Sequence, residues 1–361
     1  QHSPVSFEIT EIPCGGQYYL ETGEEWPEGS FEHCRDNSDA ILLGAIGWPD
    51  ARLPSGDMAG GQVILGLRSG LNLYANVRPI KLYPGVQHKA PGLHQQVWQP
   101  DLVEMVSIWE NIDGPYLPLL RSMDWNAKGE EGGPSAIQQA PWLEGEVEWD
   151  PRPISRKGSE RVINFAFDLA RHRQRKMGVP QSVTCVDKSN VTRGCRLFRG
   201  IFKEISEQNP DIETSAAYID AFTMWLMRDP EDLDVVVLPN MFGDIATDLA
   251  SVLQGGLGMA ASANLGPKHM MFEPVHGSAP KYTGKNVVNP IATLQSVQMM
   301  FEALDYRKKD DDLDMCADIL QQAIQQHFDE GGAVTYDLGG SASTSEVGQA
   351  IADRCEEMLR K

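Results

Sequence analysis

The run Val235-Val-Val-Leu238, followed at once by Pro239-Asn-Met-Phe-Gly-Asp-Ile-Ala-Thr-Asp248, constrains this chain more than any other stretch. Consecutive apolar residues closed by a proline read as a buried strand, and Phe242-Gly243 reads as the turn that opens a helix. Asp244 and Asp248 stand four residues apart, so a helix would put both carboxylates on one face. Two hard oxygen donors beyond the C-terminal edge of a strand suit Mg²⁺ or Mn²⁺ holding an oxygen-rich substrate. Taken alone, the same spacing also fits an N-capping aspartate beside a solvated neighbour. The rest of the chain decides between the two.

Strand-like and helix-like segments alternate around this stretch, which implies an α/β fold. Residues 5–12 and 102–109 read as strands, residues 40–47 as a strand followed by a glycine turn, and residues 160–175 as an amphipathic helix. Residues 183–187 make a short buried strand that delivers Lys188 to its end. Residues 290–304 carry apolar and small side chains on most faces, hence a buried helix, and a last helix covers 345–359. Residues 117–153, rich in Gly, Pro and Trp, read as an excursion, either a loop or a β-arm reaching a partner subunit. The acidic run 308–314 reads as a solvated loop or helix start.

With 361 residues the chain can bury a large core, in one large domain or two lobes. Its 51 acidic and 31 basic side chains give a net charge of −20, which repels nucleic acid and anionic membranes. A site for a carboxylic acid must therefore supply its own cations. Cys14, Cys34, Cys185, Cys195, Cys316 and Cys355 are scattered, with no zinc-like spacing, and reduced thiols in the cytoplasm are the expectation. No membrane span or signal peptide is visible.

Further residues carry chemistry. In Val186-Asp-Lys-Ser-Asn190 a lysine and an asparagine lie at a strand end, and a lysine beside a metal can serve as a base. Tyr218-Ile-Asp220 ends another extended segment with a third carboxylate, and Asp113-Gly-Pro-Tyr116 offers a phenol on a tight turn. Arg68, and Arg78 in Asn76-Val-Arg-Pro79, favour carboxylates through paired hydrogen bonds.

These motifs, together with Glu273-Pro-Val-His-Gly-Ser-Ala-Pro280, Val288-Asn-Pro290 and Asp337-Leu-Gly-Gly340, resemble the metal-dependent β-decarboxylating dehydrogenases. That family includes isopropylmalate, isocitrate, homoisocitrate, tartrate and D-malate dehydrogenases, and the resemblance runs from about residue 5 to the C-terminus. It implies an isopropylmalate dehydrogenase-like α/β fold, with two lobes around a large mixed sheet and a dimerisation lobe bearing a β-arm. Residues 1–73 and 256–361 would form the cofactor lobe. Residues 74–255 would form the substrate and dimerisation lobe, including the arm at 117–153.

The resemblance also implies a reaction. The C2 hydroxyl of a substituted malate is oxidised by NAD(P), and the resulting β-keto acid loses CO₂. Carried over by motif, Asp244 and Asp248 are metal ligands joined by Asp220 of a dimer mate. Lys188 of that mate is the base, near Asn190, and Tyr116 is the acid that protonates the product carbon. Arg68 and Arg78 grip carboxylates. The dinucleotide would lie against His276, Gly277, Ser278, Ala279 and Asn289. Lys281-Tyr282 stands where NAD-using relatives carry an acid, and Tyr336 matches a phosphate contact of NADP users, although Gly340 replaces an expected arginine. The pair favours NADP, with NAD as the alternative, because an ammonium and a phenol can accept a 2′-phosphate.

Three departures stand out. Family members open with a strand and a Gly-Asp-Gly-Ile-Gly loop that is not found here, so residues are expected to be missing ahead of Gln1. Trp109, in Ile108-Trp-Glu-Asn111, stands where relatives carry a third substrate arginine. His88 or Lys89 could supply the replacement cation. Trp109 could instead face an apolar part of the substrate, or the chain could be a non-catalytic regulatory subunit. Finally, Gln62, Ile64 and Leu65 suggest a mixed pocket, so no particular acid is favoured.

Overall fold

The computed structural model describes residues 5–87, 89, 98–116, 151–178 and 181–360. Helices α1 (Gly16–Thr22) and α2 (Ser30–Asp36) precede strand β1 (Ile41–Leu42) and helix α3 (Gly61–Gly70). Then come β2 (Ala75–Lys81), β3 (Glu104–Glu110), α4 (Arg156–Met177), β4 (Ser182–Asp187), α5 (Arg193–Gln208), β5 (Glu213–Tyr218) and α6 (Ile219–Arg228). The chain finishes through β6 (Val235–Leu238), α7 (Asn240–Ser251), β7 (Ala261–Leu265), β8 (Met270–Pro274), α8 (Ile291–Lys308), α9 (Asp311–Asp329) and α10 (Thr344–Leu359). The strands form an eight-stranded mixed sheet in the order β1-β8-β7-β2-β3-β6-β4-β5.

The apolar run at β6 is explained by cover on both faces. Val235 and Val237 pack with Val162, Ile163 and Phe167 of α4 and Phe198 and Ile201 of α5. Val236 and Leu238 face the opposite layer, with Phe222 and Leu226 of α6 and Ala246 of α7. Successive side chains of a strand point to opposite faces, so a strand buried between two helical layers must be apolar throughout.

Strands β3, β6, β4 and β5 run parallel to one another, and β2 is antiparallel to β3. Their C-terminal ends lie along one edge of the sheet, which is where the turn after β3, Lys188 and α7 begin. The two segments around β1, β7 and β8 contribute one end of the sheet. Antiparallel pairing from Ala75↔Leu265 to Val77↔Ala263 joins that end to β2.

Two local readings change. Residues 5–12 form no strand; Val5 packs against the core and Phe7 stacks on Phe301 at 5.2 Å. Phe242-Gly243 is not a turn, because α7 starts at Asn240, directly after Pro239. Gly243 answers a packing demand instead: a Cβ there would lie 2.4 Å from the Cβ of Trp109. Of the expected arm, residues 117–150 lie outside the described residues.

Candidate active site

Helix α7 crosses the edge of the sheet above β2 and β3 and presents Asp244 and Asp248 from successive turns. Beneath them Arg78 rises from β2, only 7% exposed. Its guanidinium donates to Thr247 Oγ1 at 2.9 Å and to Asp248 Oδ1 at 3.2 Å, and lies 3.5 Å from Asp244 Oδ1. Burial pushes the Asp248 carboxyl up, opposed by the charge of Arg78 and reinforced by Asp244. The two carboxylates therefore need a cation to coexist, and Arg78 supplies one from below.

Trp109 is 1% exposed and closes this floor. Its ring lies 4.3 Å from the Arg78 guanidinium carbon, a cation–π contact, and its Cβ lies under Gly243. The indole thus packs beneath Arg78 and α7 rather than in the open cleft. His88 lies outside the described residues, and the backbone N–H of Lys89 donates to Val252 at 2.8 Å.

Tyr116 completes this side. Its hydroxyl donates to Asp244 Oδ2 at 3.2 Å, and burial followed by the charge of Asp244 pushes the phenol up, keeping it protonated. Arg68, from α3, donates to Glu273 Oε1 at 2.9 Å. The same oxygen accepts from Asn264, which itself accepts from Asn76 and Asn111 at 2.9 Å each. This buried chain links β3, β2, β7 and β8 to Arg68.

Lys188 and Asp220 come together elsewhere. Lys188 Nζ donates to Asp220 Oδ1 at 2.7 Å, and this bond holds the Asp220 carboxyl down. Below them the fully buried Asp187 accepts the Ser189 N–H at 2.7 Å and the Arg199 Nε at 2.7 Å, which fixes the turn that carries Lys188 and Asn190. Asp220 does not join Asp244 and Asp248 within the chain. Among the described residues, no group of three or more His, Cys, Asp or Glu could hold a metal ion.

The loop after β8 carries His276, Gly277, Ser278 and Ala279. Ser278 Oγ donates to the Gly47 carbonyl, His276 Nδ1 contacts the Gly277 carbonyl at 3.0 Å, and Ala279 sits at φ 42°. Asn289 donates to Asp337 Oδ2 at 3.1 Å and accepts the Ile291 N–H at 3.0 Å, tying this loop to the start of α8. Tyr282 and Tyr336 lie side by side, ring centroids 5.6 Å apart, with Lys281 4.8 Å and Lys285 5.9 Å from the Tyr282 ring. A hydrogen bond from Tyr336 and the nearby lysines lower the Tyr282 phenol, while Tyr336 is raised to about 12 by that same bond. The result is an exposed cluster of positive charge and hydroxyls.

A sequence model of the family described as isocitrate/isopropylmalate dehydrogenase matches residues 1–351. The chain belongs to the isocitrate/isopropylmalate dehydrogenase family. It is 37% identical over 356 residues to a 3-isopropylmalate/3-methylmalate dehydrogenase of Methanocaldococcus jannaschii, covering 98% of this chain and 91% of that one. A homoisocitrate dehydrogenase of the same organism is 35% identical over 355 residues, with 98% and 91% covered. Among solved structures, an isocitrate dehydrogenase from Methylococcus capsulatus matches with a TM-score of 0.75 and 30% identity, covering 95% of this chain and 89% of that one. A β-decarboxylating dehydrogenase from Thermococcus kodakarensis matches with a TM-score of 0.68 and 31% identity, covering 96% and 86%. As a member of the isocitrate/isopropylmalate dehydrogenase family, the protein is an oxidoreductase. No helix among the described residues is long and apolar enough to cross a membrane.

Within this isocitrate/isopropylmalate dehydrogenase family member, several residues around the site have parts that the motifs did not assign, some of them lying within the motifs themselves. Thr247, Glu273, Asn264 and Asn240 all hold residues singled out above. Glu110 is the clearest case, a carboxylate ending an apolar strand, and that placement was the available signal. Burial, with the charge of Asp113 adding, raises it from 4.5 to about 8. In the unfolded chain it would ionise near its ordinary value, so between about pH 4.5 and about 8 the folded state holds a proton that the unfolded state has lost. Stability from this group is full below that window and falls as pH rises through it. Denaturant unfolding of wild type and Glu110→Gln should show the wild type losing ground to the variant as pH rises from 5 to 8; a constant difference would contradict the assignment.

Proposed function

We propose that this protein catalyses the NADP-dependent, divalent-metal-dependent oxidation and β-decarboxylation of a substituted malate, in a site shared by two copies of the chain. The observation that carries this reading is the convergence of Asp244, Asp248, Arg78 and Tyr116 at one strand-end cluster, while Lys188 and Asp220 pair apart from it. Two half-exposed carboxylates from successive helical turns are a hard-oxygen donor set, and Asp220 of the partner subunit would complete it for Mg²⁺ or Mn²⁺. The apolar surface exposed by Tyr218, Met224, Trp225 and Ile245, on β5, α6 and α7, supports a homodimer.

When bound, the metal would act as a Lewis acid on the hydroxy acid and the nicotinamide would accept hydride. The chain's own residues do the rest. Lys188 of the partner subunit takes the proton from the C2 hydroxyl, near Asn190, and Arg78 and Arg68 hold carboxylates. Tyr116, kept protonated by burial and Asp244, gives its proton to the carbon that has lost CO₂. Trp109, packed against Arg78, stands where relatives carry a third substrate arginine, so carboxylate binding here falls to Arg78 and Arg68. The acid gripped here is a substituted malate, its substituent directed toward the mixed pocket of Gln62, Ile64 and Leu65 on α3.

The charged cluster of Lys281, Tyr282, Lys285 and Tyr336 fits a 2′-phosphate, which favours NADP over NAD. We assign residues 1–73 and 256–361 to the cofactor lobe and residues 74–255 to the substrate lobe, and place the enzyme in the cytoplasm. Purified protein supplied with Mn²⁺, NADP or NAD and a panel of 3-substituted malates tests the reading. Nicotinamide reduction with matching CO₂ release is expected, faster with NADP. Cofactor binding without turnover of any acid would overturn it, and reduction without CO₂ would overturn the decarboxylation step alone.

A further inference from the structure

The turn that carries Tyr116 is held from beneath by a buried carboxyl group with no assigned part in the chemistry. Glu110 closes β3 and is 3% exposed. Its Oε2 accepts the backbone N–H groups of both Ile112, at 2.9 Å, and Asp113. Its other oxygen faces Arg161 of α4 at 3.7 Å. Two backbone donors converging on one buried oxygen fix the direction in which the chain leaves the strand.

The anchoring continues outward. Asp113 Oδ2 accepts the N–H and hydroxyl of Ser155, the N-cap of α4, at 2.7 and 2.6 Å. The Asp113 carbonyl accepts from Asn240 Nδ2 at 2.7 Å. Gly114, at φ 101°, lets the backbone pass Asn240, where a Cβ would lie 3.1 Å from that residue's own Cβ. Asn240 and Asp244 lie in the first turns of α7. The turn is therefore tied to α7 twice, at Asp113 and where Tyr116 donates to Asp244. Glu110 sets the start of the path between β3 and the first of those ties.

We propose that Glu110 is a positioning residue for Tyr116, its carboxyl oxygen Oε2 accepting the Ile112 and Asp113 N–H groups so that the phenol stands over Asp244. The functional part of this proposal rests on the reading of Tyr116 as proton donor; the positional part does not. Misplacing a reacting group by about 1 Å can cost about 10²-fold in rate. Glu110→Ala is thus expected to lower kcat by up to about 10²-fold, with KM for the acid changed much less. Glu110→Gln, which keeps an acceptor oxygen in place, should recover much of the loss. In a Tyr116→Phe background, Glu110→Ala should cost little more.

Full-length protein labelled with 3-fluorotyrosine, with Mg²⁺ and NADP present, gives a readout that a general loss of stability would not move. The Tyr116 ¹⁹F resonance, assigned by its disappearance in Tyr116→Phe, should shift in Glu110→Ala at a temperature where the variant is fully folded. It should stay near its wild-type position in Glu110→Gln. An unmoved resonance in Glu110→Ala would overturn the proposal, as would an undiminished cost of Glu110→Ala in the Tyr116→Phe background. Full turnover by Tyr116→Phe would instead refute the proton-donor reading, while the resonance still decides whether Glu110 places the phenol.

Discussion

Replacing Lys188 by methionine is expected to lower kcat by about 10²–10⁴-fold, the usual worth of a positioned general base. The change removes the ammonium that donates to Asp220 at 2.7 Å while keeping most of the side chain's length and apolar stem. Stability should alter little, because the pair is partly exposed and screened by water. The same loss is expected of Asp248→Asn, for a different reason: it removes a charge from the two-carboxylate donor set.

The two losses should complement. Lys188 and Asp248 are assigned to opposite halves of a shared site, so a dimer with one chain of each kind contains one site with both defects and one with neither. Co-expressing the two variants under different tags, and isolating the mixed dimer, should restore activity that neither variant shows alone. A mixed dimer as inactive as its parents would mean that each chain builds its own site, and the placement of Asp220 and Lys188 in the partner would be wrong.

Gly243→Ala should destabilise the protein by about 1–3 kcal/mol, the usual cost of overpacking a tight core. The sign of this effect is informative. Helix propensity alone predicts the opposite, since alanine is favoured over glycine in a helix interior by about 0.8–1.0 kcal/mol. Here the added Cβ would lie 2.4 Å from the Trp109 Cβ and 2.6 Å from its Cγ. Both partners belong to regular elements, so α7 must move away from β3 or the indole must tilt from Arg78. Either response shifts Asp244 and Asp248, so metal affinity should fall with stability. Denaturant unfolding and Mn²⁺ titration check the two effects; a variant as stable as wild type would show that α7 can rise without cost.

Much of the fold was legible because its signals are local. Buried strands between helical layers must be apolar on both faces, and β6 shows this in four successive residues. Helix α4 was recognisable from its amphipathic spacing, and the structure extends it by a few residues to the Ser155 cap. Residues 5–12 misled because they alternate like a strand without a described neighbour to pair with. Of the alternating residues, Val5 packs against the core, whereas Phe7 is 44% and Ile9 80% exposed, so the alternation here reports no buried face.

The candidate site divides in the same way. Asp244, Asp248, Lys188, Tyr116 and the loop from His276 to Ala279 follow from residue types at fixed offsets, because each motif sits at the end of one element. By itself, then, the sequence determined the α/β class, the family and the chemical groups at hand. Only the tertiary structure decided which of those groups meet. It set Trp109 beneath Gly243 and Arg78, separated Asp220 from the aspartate pair of α7, and tied the Tyr116 turn to Glu110. The physical reason is the strand order: β2, β3 and β6 are neighbours in the sheet but far apart in the chain. No local spacing encodes a contact between Arg78 and Asp248, 170 residues apart, until the sheet brings them to the same edge.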